Sequence, residues 1–272
     1  MLGRDRIEYK TRDQVRTMRR AGLVVARTLG AVRAEIRPGI TTRELDALGA
    51  AVIRDAGARS NFLGYHGYPA TLCISVNEEV VHGIPGDRVI QPGDVVSVDG
   101  GAIVDGWHSD SAFSVVVPPE DAADQALVTA CEDALWAGIA ALARAERLGD
   151  VGAAIEDAVR SAGDFGVVRE YVGHGIGSAM HQPPDVLNYR SRDRGPRVRP
   201  GLCVAIEPMI TRGERHTDVL ADDWTVVTKD GSRAAHVEHS VAVLEDGVVV
   251  LTAADGGRER LQALGVAVAD LD

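Results

Sequence analysis

The sequence is poor in cysteine and aromatic residues and has no long hydrophobic run. Its three cysteines, Cys73, Cys131 and Cys203, are far apart and odd in number. This spacing excludes a disulfide framework or a structural zinc site and favours a reducing cytoplasm. No stretch approaches the roughly 18 apolar residues that a membrane span requires, and the first residues lack the apolar centre of a secretory signal. Aromatic residues make up 4% of the chain, so we expect a core of Val, Ala, Leu and Ile.

Basic residues are also scarce relative to acidic ones. The chain has 29 Lys and Arg against 40 Asp and Glu, a formal net charge of −11. Binding to a nucleic acid duplex needs clustered positive charge, so nucleic acid is not expected as a substrate and any ribosome contact should be weak and local. With 272 residues, 45% hydrophobic and 25% charged, the chain is typical of a globular protein. No coiled-coil heptads are present, so we expect a monomer.

The two halves of the chain resemble each other. The matching segments are 52–57 with 158–163, 81–85 with 173–177, and 91–99 with 199–207. The last pair reads Pro-Gly, then an apolar run, then an acid. Three matches in the same order indicate an internal duplication. We therefore predict one domain, residues 1–272, with pseudo-repeats at about 10–118 and 119–252.

Each half is predicted to start with two helices and to continue with strands. Capping-box patterns at Thr11–Gln14 and Thr41–Glu44 begin the first two helices, the second of which runs to about Gly57. Two more helices are predicted at about 119–142 and 150–162. Strands are predicted at 72–76, 95–103, 107–117, 167–172, 202–210, 224–228 and 234–244. Helix pairs followed by hairpins are typical of an α+β fold, here with two pseudo-symmetric halves around a central antiparallel sheet.

One hairpin is predicted to bring two carboxylates together. Asp105-Gly106 is a strong signal for a two-residue turn. This turn places Asp110 opposite Gly101, so that Asp99 becomes its diagonal neighbour on the same face, about 7–8 Å away at the backbone. Two buried carboxylates at that range repel each other unless a cation lies between them.

Three further residues are candidates for the same site. Glu207 ends a predicted strand, Glu238 lies inside an apolar run, and His174 lies between glycines. Taken singly, each has an ordinary alternative: a strand-end cap, an edge-strand charge or a loop histidine. The duplication, however, brings the two acid-ended strands to opposite sides of one axis. Four carboxylates and one imidazole suit two ions of Mn, Fe or Co better than a structural zinc, and two such ions can bridge a hydroxide in a hydrolytic reaction.

The order of several motifs resembles that of the type I methionine aminopeptidases, which have the pita-bread metallopeptidase fold, from about Lys10 to Thr252. The motifs are GYHGYP at 64–69, CISVN at 73–77, HGIP at 82–85, DGWHSD at 105–110, GHGIG at 173–177, PDVL at 184–187, EPM at 207–209 and DDWT at 222–225. The resemblance implies metal ligation by Asp99, Asp110, His174, Glu207 and Glu238. Asp110 and Glu238 would bridge two divalent ions, and Asp99 would chelate one of them.

The same resemblance implies removal of the initiator methionine from nascent peptides with a small second residue. Glu207 would carry the proton, His181 would stabilise the oxyanion, and His82 would contact the substrate backbone. The methionine pocket would involve Tyr65, Cys73, His82, Tyr171 and Trp224. On the sequence alone, His82 is equally well explained as a turn histidine before Pro85, and Cys73 as a small core residue.

Four positions depart from the commoner bacterial pattern. Met180 replaces an aromatic residue, Phe62 stands where a small residue is frequent, Gln182 replaces a Glu, and Asn188 replaces a His. A flexible methionine can line a thioether pocket, so specificity for methionine should survive. The reaction rate, the tolerance at the second residue and the choice among Fe, Mn and Co stay open.

Two other functions remain open at this stage. Xaa-Pro aminopeptidases and prolidases share the fold and the ligand pattern, but they usually carry an additional N-terminal domain, and only about 60 residues precede Gly64 here. A binding protein that has lost its metals would share the scaffold. The presence of all five ligand types argues against that reading.

Overall fold

A computed structural model describes residues 7–271 of the chain. Its helices are α1 (Arg12–Glu35), α2 (Thr42–Asp55), α3 (Ala122–Leu142), α4 (Gly149–Ala162) and α5 (Arg258–Ala263). Its strands are β1 (Arg59–Ser60), β2 (Cys73–Val76), β3 (Glu79–Val81), β4 (Val95–Val104), β5 (Trp107–Val116), β6 (Gly166–Val167), β7 (Gly173–Gly175), β8 (Gln182–Val186), β9 (Cys203–Ile206), β10 (Met209–Thr211), β11 (Thr217–Val219), β12 (Val226–Thr228), β13 (Ala234–His236), β14 (Glu238–Leu244) and β15 (Gly247–Val250). Within residues 7–271, no helix combines the length and apolarity that crossing a bilayer requires.

Both predicted capping boxes are present. The Thr11 hydroxyl accepts from the Gln14 N–H, and the Gln14 side chain accepts from the Thr11 N–H at 2.8 Å. Thr41 and Glu44 make the same reciprocal pair before α2. Because each box satisfies backbone donors that a helix end would otherwise leave unpaired, the two helices begin where the sequence predicts.

A nine-stranded antiparallel sheet forms the centre of the fold. Its main path is β1-β4-β5-β14-β9-β7-β8, with β2 paired to β4 and β15 paired to β14. Two smaller sheets, β13-β10-β6 and β11-β12-β3, lie beside it. The prediction of an α+β fold around an antiparallel sheet is therefore confirmed.

The helices pack on the sheet in two pairs. Leu29 of α1 and Leu45 of α2 belong to one buried cluster with Val98 of β4. Leu127 of α3 and Ile155 of α4 belong to a second cluster, with strands of the later half of the chain. Since successive side chains of a strand point to opposite faces, the residues next to Val98 face away from the helices. That face carries the candidate site.

Three predicted strands are wrong in extent. The strand predicted at 167–172 ends at Val167, and the segment that follows it is irregular. The strand predicted at 202–210 divides at Glu207 and Pro208, and the one at 234–244 divides at Val237. Pro208 has no N–H for a strand ladder, and its carbonyl accepts from the Val237 N–H at 3.4 Å. At these breaks the first segment passes from the nine-stranded sheet into the β13-β10-β6 sheet, and the second segment passes from the β13-β10-β6 sheet into the nine-stranded sheet.

Candidate active site

The β4–β5 hairpin has the predicted register. Gly101 pairs with Asp110, and Asp105 and Gly106 have positive φ angles of 49° and 80°, as a two-residue hairpin turn requires. Asp99 and Asp110 consequently lie on the same face, away from the helices, and Asp110 is only 3% exposed. The hairpin geometry alone thus brings two carboxylates together, as the sequence indicates.

Glycine at position 101 makes room for a polar support of this hairpin. A Cβ at Gly101 would lie 2.1 Å from the Asn61 side-chain nitrogen. Asn61 Nδ2 donates to the Ser109 carbonyl at 3.1 Å, and its Oδ1 lies 3.0 Å from His108 Nδ1. His108 shares the face of Asp110, but it contacts Asn61 and does not line the cleft.

The five predicted ligand residues converge. Asp110, His174 and Glu238 each place one ligand atom within 4.8 Å of the others. His174 Nε2 lies 3.4 Å from Glu207 Oε1, and Asp99 lies within side-chain hydrogen-bonding range of Asp110. All five line the base of one cleft. Glu207 and Glu238 lie in this cleft because the two strand segments are interrupted side by side. Glu207 directly follows β9, and Glu238 is the first residue of β14.

The carboxylates of this cluster repel one another. Burial, followed by repulsion from Asp110, raises the pKa of Asp99, Glu207 and Glu238 well above the usual range. Burial also raises the pKa of Asp110 to about 7. Asp99 Oδ1 and Glu238 Oε1 are buried without a hydrogen-bond partner. Such groups are costly to bury unless a cation pairs with them.

The orientation and the lowered pKa of the His174 imidazole suit a neutral metal ligand. Its Nδ1 lies 3.0 Å from the Gly175 carbonyl, which leaves Nε2 directed toward Glu207. Burial, and then the neighbouring His181, lowers the pKa of His174 to about 3. A neutral imidazole and oxygen-rich carboxylates are the donors that a divalent transition metal takes. The residues present therefore fit a divalent metal centre.

The five predicted ligand residues line one cleft. Its lining consists of Phe62, Tyr65, Tyr68, Cys73, Val81, His82, Asp99, Asp110, His174, Met180, His181, Glu207, Trp224, His236 and Glu238. Four residues of the predicted methionine pocket are among them. The fifth, Tyr171, is not: its ring packs edge-on against His82 with the ring centroids 5.7 Å apart. The structure thus places Tyr171 behind His82 and not on the cleft wall.

Comparison with known proteins agrees with this geometry. Residues 16–245 match the profile of metallopeptidase family M24. The chain belongs to this family. It is 48% identical over 258 residues to methionine aminopeptidase 1 of Mycobacterium tuberculosis (strain CDC 1551 / Oshkosh), covering 93% of this chain and 97% of that protein. It is 44% identical over 243 residues to methionine aminopeptidase 1 of Bacillus subtilis (strain 168), covering 89% and 98%.

Two solved structures have the same fold. The crystal structure of methionine aminopeptidase from Thermotoga maritima superposes with a TM-score of 0.88 at 40% identity, covering 91% of this chain and 99% of that one. Prolidase from Pyrococcus furiosus gives 0.72 at 20% identity, covering 90% and 65%, a likeness of fold alone. The resemblance to type I methionine aminopeptidases and the pita-bread fold class are therefore confirmed.

Two outer histidines of this M24 site face the cleft. His181 Nδ1 lies 2.9 Å from the Tyr65 hydroxyl, which leaves its Nε2 free for the cleft. His82 has a positive φ of 61°, a conformation uncommon outside glycine. Burial, and then the nearby His181, lowers the pKa of His82 to about 4. A neutral imidazole is therefore present at position 82 near neutral pH.

His236 also lines the cleft, although the sequence did not predict it as a site residue. This side chain is 3% exposed, and its Nε2 lies 3.7 Å from Glu207 Oε2 without a hydrogen-bond partner. The available signal was its spacing from Glu238, because residues two apart in an extended segment share a face.

The four departures from the family pattern lie around the M24 site. Phe62 and Met180 are buried together, in one cluster with Tyr68 and Cys73, and form the apolar wall of the cleft. Asn188 is fully buried, and its Nδ2 donates to the Glu207 carbonyl at 3.0 Å. Asn188 therefore fixes the backbone of a predicted ligand.

Proposed function

We propose that this chain is a methionine aminopeptidase, which hydrolyses the bond after an N-terminal methionine when the second residue is small. The observation that carries the proposal is the juxtaposition of five acidic and imidazole groups, three of them buried and two half-buried, with an apolar wall in one cleft. The substrate's free amino group is a cation and suits the carboxylates. Its side chain suits the wall of Phe62, Cys73 and Met180, because thioethers pack well against aromatic rings and sulfur.

Two divalent ions, Fe, Mn or Co, are proposed as cofactors. Asp99, Asp110, His174, Glu207 and Glu238 would hold them. When bound, such ions polarise a carbonyl and lower the pKa of water. Neutralising the repulsion among the four carboxylates is the electrostatic reason for the ions to bind.

The remaining chemistry belongs to side chains of the chain itself. Glu207 accepts a proton from the attacking water and delivers it to the leaving amine, a role for which a positioned carboxylate is suited. With the Tyr65 hydroxyl donating to His181 Nδ1, the Nε2 of His181 carries the hydrogen and donates to the substrate carbonyl oxygen. His82 bonds the substrate backbone on the other side of the scissile bond.

The substrate class is tested by assaying a Met-Ala-Ser peptide beside a Gly-Pro peptide, after titration of the metal-free protein with Mn, Fe or Co. We expect turnover of Met-Ala-Ser and no comparable turnover of Gly-Pro, because the apolar wall accepts an unbranched thioether. Among Met-Xaa-Ser peptides, small second residues should be cleaved fastest. Faster cleavage of Gly-Pro would favour the Xaa-Pro aminopeptidase and prolidase alternative. A protein that retains no metal after anaerobic purification in Mn or Fe would favour the binding protein.

Tyr65→Phe is expected to lower kcat about tenfold, the scale of the net contribution of one hydrogen bond, with a smaller change in KM. The substitution removes the hydroxyl that orients His181 and leaves the ring in place. Tyr189→Phe is the matched control, since Tyr189 packs under Arg169 and does not line the cleft. The measurement is steady-state hydrolysis of Met-Ala-Ser. Equal kcat for the two variants would contradict the assigned role.

We further infer a single-domain, monomeric enzyme of the cytoplasm that acts on nascent peptide N-termini. The net charge of −11 opposes strong binding to ribosomal RNA, so contact with the ribosome should be weak. The two pseudo-repeats, at about 10–118 and 119–252, are part of the same proposal.

A further inference from the structure

A short segment before α1 crosses the loop that carries His181. The Glu8 carboxylate accepts three hydrogen bonds from this loop: from the Ser178 N–H at 3.1 Å, the Ser178 hydroxyl at 2.7 Å and the Gln182 side-chain amide at 2.9 Å. These partners lie on either side of His181 in the sequence. Glu8 therefore ties both ends of the segment that presents the His181 imidazole to the cleft.

The crossing segment is itself firmly attached. The Lys10 side chain is 1% exposed, and its Nζ lies 3.4 Å from Glu8 Oε2. The Lys10 N–H donates to the Gly201 carbonyl at 2.8 Å. A Cβ at Gly177 would lie 2.3 Å from Glu8 Oε2, so the segment and the loop are in direct contact. Burial alone would raise the pKa of Glu8, but the hydrogen bonds from Ser178 and Gln182 outweigh it and lower the pKa to about 2.

The loop between β7 and β8 supplies two groups that face the cleft. Met180 is part of its apolar wall, and His181 lies 4.3 Å from His174 between ring centroids. The Tyr65 hydroxyl fixes one nitrogen of His181. The start of the loop backbone is held by hydrogen bonds from the Ile176 N–H to the Cys203 carbonyl and from the His108 N–H to the Gly177 carbonyl. Glu8 adds a backbone constraint nearer to His181 through the Ser178 N–H.

We propose that Glu8 is a positioning residue for His181, and that Gln182 is the residue type that makes this possible in this chain. A second carboxylate there would lie 2.9 Å from Glu8 Oε2, the present donor–acceptor distance, and would repel it. An amide donates instead. This inference rests on the proposed function, because it assigns a purpose to the position of His181.

The first experiment is a double-mutant cycle with Glu8→Gln and His181→Ala. Glu8→Gln is expected to lower kcat for Met-Ala-Ser about tenfold in the wild type, with KM and Mn²⁺ affinity within about twofold. In the His181→Ala background the same substitution should change kcat by less than about twofold. An equal loss in both backgrounds would mean that Glu8 acts only on stability, and would overturn the proposal. Asp13→Asn, at an exposed ion pair with Arg16, is the control.

The second experiment reads the contact without any activity. Hydrogen exchange of the peptide 173–186 should quicken in Glu8→Gln and more so in Gln182→Glu, which places two carboxylates together. Adding Glu8→Gln to Gln182→Glu removes that repulsion, so the double variant should exchange more slowly than Gln182→Glu alone. Additive effects, or unchanged exchange in Glu8→Gln, would overturn the proposal. If the wild type cleaves no Met-Ala-Ser, the proposed function fails while exchange still reports the contact.

Discussion

Glu207→Gln is expected to abolish hydrolysis of Met-Ala-Ser while the protein keeps its fold. Proton transfer by a positioned carboxylate contributes about 10²–10⁴-fold, and an amide of the same shape can neither accept the proton nor pass it on. The two carboxylate oxygens of Glu207 lie 3.4 Å from His174 Nε2 and 3.7 Å from His236 Nε2. The measurement is single-turnover hydrolysis at saturating Mn²⁺. Activity retained above a few per cent of wild type would contradict the role.

The fold should tolerate this substitution, because the backbone of Glu207 is held independently of its side chain. Asn188 donates to the Glu207 carbonyl, and Ile206 before it pairs with His239 in the central sheet. Glu214→Gln is the matched control, since it makes the same chemical change at an exposed position after β10. We expect wild-type activity from the control and similar circular dichroism spectra from both variants.

The parts of the site that the sequence predicts are those fixed by local geometry. The Asp105-Gly106 turn determines the pairing of β4 with β5, so the proximity of Asp99 and Asp110 follows from residues only a few positions apart. The capping boxes at Thr11 and Thr41 likewise depend on side chains three residues away. The turn and the capping boxes can be predicted because the residues that interact are themselves part of the short sequence motif.

The parts that the sequence does not reveal depend on contacts between distant segments. The apolar runs through Glu207 and Glu238 predict continuous strands. The local sequence does not show that the Val237 N–H donates to the Pro208 carbonyl or that both segments change sheets there. His236 is brought to Glu207 by that same crossing. Glu8 reaches Gln182 across 174 positions, which no periodicity or motif encodes.

Asp110→Asn is expected to stabilise the protein in EDTA, where no metal is bound. In Mn²⁺ the same substitution should remove most of the hydrolytic activity. Asp110 contributes to the raised pKa of Asp99, Glu207 and Glu238, so neutralising it relieves repulsion throughout the cluster. Its own pKa rises from 3.8 to about 7 on burial. Because the pKa of this carboxyl is higher in the folded state than in the unfolded state, its protonated form favours folding. This contribution to stability is fully present below the unfolded-state pKa and is lost as the pH rises toward the folded-state pKa. The Tm advantage of the variant should therefore grow between about pH 4 and pH 7 and level off above.

Bound metal is expected to make the wild type more stable than Asp110→Asn. A ligand that binds only the folded state adds stability that grows with its affinity, so Mn²⁺ should raise the Tm of the wild type strongly and that of Asp110→Asn little. Thermal unfolding in EDTA and in Mn²⁺ across this pH range measures both effects, with exposed Asp164→Asn as the control. An Asp110→Asn variant less stable than wild type in EDTA at pH 8 would contradict the account. Opposite signs in the two solutions would mean that the four carboxylates are retained for the ions they bind, at a cost to the stability of the protein without them.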